Sequence, residues 1–183
     1  HGRVTFLYLQ NAPLKKSNSM IVKLILEEGA DANAFYAMFG SSFGQLSIES
    51  RMAGNGSSLN ERILFFGDST QIFTISSLAS LEAPRTSARI NIKGILNGSA
   101  RVQCNGNIRI LQTAATSSAK LSQHTLLLSR SAAIDAVPGL EINTNDVFAS
   151  HCAGITRIDD EQNFYCQSRG IKDREAIRLI AEG

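Results

Sequence analysis

Apolar and polar residues alternate along most of the chain. In Leu46-Ser-Ile-Glu-Ser-Arg-Met52, Leu46, Ile48 and Met52 share one side while Ser47, Glu49 and Arg51 share the other, and this period of two predicts a half-buried strand. Runs rich in β-branched and aromatic residues predict further strands at Val4–Leu9, Met20–Leu26, Ile63–Phe66, Gln71–Ile75, Ala88–Leu96, Ser99–Cys104, Asn107–Leu111 and Gln123–Leu128. The pattern continues through Ile134 and Leu140–Ile142 to Val147. The intervals between these runs are too short for helices.

Punctuation is supplied by Asn11-Ala-Pro13, Glu27–Asp31, Gly54–Ser58 and two Asn-Gly pairs, Asn97-Gly98 and Asn105-Gly106. Asn-Gly between alternating runs signals a hairpin. Small-residue blocks at Ser76–Ser80 and Ala114–Ala119 read equally well as corners of a coil that advances one rung per turn. Many short strands with regularly spaced turns fit a sandwich, a barrel or a β-solenoid, and periodicity does not choose among them. No strict repeat is visible.

The pattern changes after Ile158. Asp159 with Gln162 three residues on has the form of a capping box, and Gly170 is a C-terminal stop. Asp173 opens a second helical stretch with Ala176, Ile177, Ile180 and Ala181 on one face. Two short helices could form a DNA-reading pair, but the weak basic signal favours a helical cap on a β structure.

Composition narrows the function. The 183 residues carry 43% hydrophobic residues, enough for one substantial core with an appendage, and 18 basic against 16 acidic residues without a long run of either sign. This argues against a nucleic-acid partner. No apolar run approaches the roughly 20 residues of a membrane span, so no membrane association is expected. The opening His1-Gly-Arg3 has neither an initiator Met nor a signal-peptide pattern, and the chain reads as a fragment that ends in mid-helix. Three cysteines, Cys104, Cys152 and Cys166, are an odd number unsuited to a disulfide framework, which favours a reduced, cytoplasmic setting. The acids Glu49, Asp68, Asp135 and Asp146 share no spacing of the kind a carbohydrate-active enzyme needs, and no enzymatic activity is expected.

Candidate chemistry gathers late in the chain, where His151, Cys152 and Cys166 lie at the change from strand to helix. Thiolate and imidazole suit iron or iron–sulfur species. If Ser150–Cys152 is extended, His151 and Cys152 point to opposite faces, so only one of them readily joins Cys166. Cys104 reads as a small buried hydrophobe and His124 as a surface or satisfied strand histidine.

The run Gly139-Leu-Glu-Ile-Asn-Thr-Asn-Asp-Val-Phe-Ala-Ser-His151, then Phe164-Tyr-Cys-Gln-Ser-Arg-Gly-Ile171, resembles the SufB/SufD family of iron–sulfur cluster assembly scaffold proteins. Upstream segments agree in the family's order: Tyr8–Asn11, Leu26–Asp31, Leu81–Pro84, Ser87–Arg89, Lys93–Gly98, Leu126–Ser129 and Ala136–Ile142. The resemblance implies a right-handed parallel β-helix over residues 1–158, with its Asn-Gly pairs as coil corners, and over 159–183 the start of a helical C-terminal domain. It further implies pairing as a homodimer or a SufB/SufD-type heterodimer, and a SufC-type ATPase docked on the missing part of the helical domain. It matches Cys166 to an essential cysteine in a Phe-Tyr-Cys motif and His151 to an interface histidine in a Ser-His motif, as ligands of a transient iron–sulfur cluster. Cys152 departs from the family's usual Gly or Glu and is the weaker ligand candidate. A metal-independent β-helix interaction module is the alternative.

Overall fold

The computed structural model describes residues 2–158 and 160–172, together with 175, 176, 178 and 179. Among the described residues the continuous elements are β1 (Arg3–Ala12), β2 (Ser17–Leu26), β3 (Asp31–Gly40), β4 (Phe43–Met52), β5 (Ser58–Gly67), β6 (Ile72–Leu81), β7 (Ser87–Leu96), β8 (Arg101–Ile110), β9 (Ser117–Leu127), β10 (Ala133–Ile142), β11 (Val147–Arg157) and the helix α1 (Asp160–Ser168). Odd-numbered strands form a six-stranded sheet in the order β1-β3-β5-β7-β9-β11, and even-numbered strands a five-stranded sheet in the order β10-β8-β6-β4-β2. Every pairing is parallel and joins a strand to the one two places on. The chain is therefore a parallel β-solenoid, which decides among the three architectures left open by periodicity.

Alternation builds the core between the two sheets. In β4 the positions Gly44, Leu46, Ile48, Ser50 and Met52 are buried, and the buried positions of β7 are Ala88, Ile90, Ile92, Gly94 and Leu96. Because the strands stack in register, equivalent positions pile up along the axis and make one continuous cluster. Gly94 faces Phe65 across β5 and β7, and a side chain at 94 would overlap that ring.

Several sequence expectations change in place. Asp31–Gly40 is strand β3, although its alanine-rich run gave no strand signal. Asn97-Gly98 is a corner, with Gly98 in the left-handed region at φ 59°. Asn105-Gly106 is not a turn. It continues β8, where Gly106 leaves space for the side chains of Leu121 and Gln123. Ser76–Ser80 likewise lies inside β6 rather than at a corner. Its small side chains serve a buried polar contact: Ser77 Oγ donates to Glu61 Oε1 at 2.5 Å, both residues being almost fully enclosed. The corner expected at Ala114–Ala119 is confined to its first half, with Thr116 at φ 56° and β9 beginning at Ser117.

At the helical end, Gly170 terminates α1 as expected. Gly170 N donates to Gln167 O and Ile171 N to Cys166 O, with Gly170 at φ 88°, which is a Schellman motif. Asp159, the expected cap, and Asp173 lie outside the described residues, as do Ile177, Ile180 and Ala181. Glu175, Ala176, Arg178 and Leu179 are helical, and Ala176 is buried.

Candidate functional site

The last strand of each sheet ends the solenoid differently. β10 pairs with β8 and β11 with β9, and among the described residues neither has a further neighbour. Ala133 N donates to Ala100 O and Asn143 N to Ile110 O, so the odd-numbered residues of β10 face β8 and the even-numbered ones face the free edge. Pro138 is even-numbered. Its missing N–H therefore interrupts that edge, as expected of proline confined to an edge strand.

In β11, Ile158 N donates to Leu127 O just beyond the strand, which directs the even-numbered residues to β9. The backbone groups of Ala149, His151, Ala153 and Ile155 point to the free edge, and no proline breaks the row. An unpaired edge of this kind is a template for strand addition.

The register then sorts the candidate ligands. His151 pairs with Leu121, an inward residue of β9, and Cys152 with Ser122, an outward one, so the two occupy opposite faces as the period of two requires. His151 is nevertheless exposed, because among the described residues the five-stranded sheet stops at β10 and no further strand covers the inward side of β11.

On the outer face, Cys152 has company. Its thiol lies 3.6 Å from Ser122 Oγ and 4.0 Å from His124 Nε2. His124 pairs with Gly154, and a Cβ there would come within 2.9 Å of Nδ1; the missing side chain gives the imidazole its place. A thiol, an imidazole and a hydroxyl thus share one exposed patch. In the sequence His124 is an isolated strand histidine, since nothing local brings it to a cysteine 28 residues away. Only the coil length does.

Cys166 sits in α1, half-buried, with its carbonyl accepting from Arg169 N and Ile171 N in the motif that ends the helix. Arg169 also lies 5.2 Å above the Tyr165 ring, which anchors the same turn. No hydrogen bond joins Cys166 to His151. Among the described residues no three His, Cys, Asp or Glu side chains converge as a metal site. The third cysteine is of another kind: Cys104 is 1% exposed, and burial pushes its thiol up to about 12, so it stays protonated at neutral pH, as the reading of a buried hydrophobe requires.

A comparison with known families bears on this arrangement. The family model described as SUF system FeS cluster assembly, SufBD core domain, matches residues 1–183. The chain belongs to the SufB/SufD family. It is 29% identical over 157 residues to the iron-sulfur cluster assembly protein SufD of Escherichia coli (strain K12), covering 86% of the chain and 37% of that protein. It is 30% identical over 154 residues to an iron-sulfur cluster assembly SufBD family protein of Mycobacterium bovis, covering 80% of the chain and 39% of that protein. A second such protein of that organism is 26% identical over 186 residues, covering 100% of the chain and 22% of its own length. The chain thus spans well under half the length of these SufB/SufD relatives. Among the described residues no helix is long and apolar enough to cross a membrane.

Proposed function

We propose that this chain is the β-helix core of a scaffold subunit for iron–sulfur cluster assembly, acting as a carrier of a nascent cluster and not as an enzyme. Residues 1–158 form the core and residues 159–183 begin the helical domain through which a SufC-type ATPase engages the complete protein. The setting is cytoplasmic. The subunit pairs as a homodimer or a SufB/SufD-type heterodimer through β11, whose free edge offers an unbroken row of backbone donors and acceptors.

The observation that carries the reading is the exposed contact between Cys152 and His124 beside that edge. It supplies the soft sulfur and nitrogen donors that iron takes. His151 adds an imidazole at the same edge from the other face, and Cys166 a thiol from α1; with a partner subunit alongside, these donors complete a transient site. The cluster is cargo. Ligands drawn from two subunits can release it when the subunits move.

The test is anaerobic incubation with ferrous iron and sulfide, read by visible absorbance and by iron and sulfide retained, with thermal melts of each variant. The parent is expected to take up a cluster, Cys166→Ala to lose it, His151→Ala and Cys152→Ser to weaken it, and Cys104→Ala to alter stability alone. If well-folded Cys166→Ala takes up a cluster as fully as the parent while Cys152→Ser does not, the essential thiol is Cys152. Sedimentation with only monomer at high micromolar concentration would sink the pairing. A folded protein that dimerises yet retains no iron or sulfide would be a metal-independent interaction module.

A further inference from the structure

The two outer faces of the solenoid handle charge in opposite ways. On the five-stranded sheet, cations meet acids: Lys23 and Glu49 are register partners 3.3 Å apart, Arg109 and Glu141 are register partners 2.8 Å apart, and Arg51 reaches Glu82 at 2.8 Å; among the described residues only Arg101 of this face lacks an ion-pair partner. On the six-stranded sheet, Arg62, Arg89, Lys93 and Lys120 all point outward, and among the described residues none has an ion-pair partner. Arg89 and Lys120 are moreover direct register partners on β7 and β9. Like charges placed opposite each other on neighbouring strands destabilise a sheet.

The one acid on the outer face of this sheet is withdrawn from them. Asp31 accepts from Arg3 Nε at 2.9 Å through one oxygen and from Ser58 Oγ at 2.7 Å through the other. What remains is an open groove of about 800 Å³ across the sheet, lined mainly by Ser and Asn side chains, with Arg89 and Lys120 on its fourth and fifth strands and the Arg3–Asp31 pair at the β1 end. Six strands at about 4.8 Å spacing give it a length of about 24 Å, the span of roughly seven extended residues. Phe148 at its end is the one aromatic lining it, which is poor provision for stacked bases.

We infer that this groove is a docking site for an extended acidic segment of a separate partner protein, whose carboxylates engage Arg89 and Lys120. This goes beyond cluster carriage and stands without it. Charge complementarity selects the occupant: the face presents donors and cations and holds no free acceptor of opposite charge. A partner bound here would reach Ser150 of β11, and so lie beside the open edge.

The test uses the whole chain and a fluorescein-labelled octapeptide alternating Glu with Ser, followed by anisotropy at low and physiological salt, with the Gln counterpart as control. The Glu peptide is expected to bind, more weakly as salt rises. The double change Arg89→Gln with Lys120→Gln should weaken it about tenfold or more, and Lys23→Gln with Arg109→Gln should leave it unchanged. The melting temperature of the first double variant should hold or rise, since a repulsion is removed. No binding of the Glu peptide at low salt, or equal loss in both double variants, would overturn the proposal. So would tighter binding of a single-stranded oligonucleotide of equal charge, or salt-sensitive self-association abolished by the same two substitutions.

Discussion

Leu121 and His151 are register partners on neighbouring strands and face the same inward side, yet Leu121 is fully enclosed and His151 is exposed. What differs is cover. In the central coils each inward side chain meets the opposite sheet, and a polar group placed there must be neutral or bonded: Cys104 keeps its proton, and burial pushes the Glu61 carboxyl up to about 7. At β11 the opposing layer runs out, and the inward position that elsewhere makes core becomes a surface from which imidazole can act. The solenoid turns core positions into surface positions by ending.

The sharpest way to break this contrast is thiol chemistry. Alkylation of Cys152 in the native protein should be prompt, whereas Cys104 should react only through global opening, on the order of a thousandfold slower or more; mass spectrometry of a labelling time course reads both. Comparable rates would mean that the central coils breathe. Next, Leu121→Ala should cost about 2–5 kcal/mol in denaturant unfolding, the range for emptying a packed core position.

Glu61 sharpens the comparison through pH. Its carboxyl ordinarily titrates at 4.5 and in the fold at about 7, so the folded state holds the proton more tightly. Its stabilising contribution is complete below about 4.5 and lost as pH rises through 7, up to about 3 kcal/mol. Unfolding free energies across that window should fall for the parent and stay flatter for Glu61→Gln, where the pH-dependent term is gone. The smallest effect belongs to the open end, where Ile155→Ala should change stability by under about 1 kcal/mol. A loss as large as that of Leu121→Ala would show that β11 is packed.

Much of this was legible in the sequence. The alternation in Leu46–Met52 gave the true faces of β4, the opposite orientation of His151 and Cys152 followed from period two, and Gly170 marked the helix end. What escaped depends on what lies one coil away. Asn105-Gly106 carries hairpin chemistry, but in a strand beneath Gln123 the glycine is needed for space. Ser76–Ser80 looks like a corner until Ser77 is seen to answer the buried Glu61. β3 escaped because Asp31, Asn33 and its three alanines are weak strand formers, a preference that pairing with β1 and β5 overrides. His124 meets Cys152 only after one full turn of the solenoid, a distance no local window spans.

Pro138 has a mechanical consequence. With one sheet's terminal edge interrupted and the other's intact, a partner strand can be joined at this end along a single line, β11. A single line of hydrogen bonds resists sliding but offers little stiffness against rotation about itself. Two bodies joined in this way form a hinge, free to gape on the side of β10 while staying attached along β11, so that the faces beside the axis can open and shut without the joint being broken.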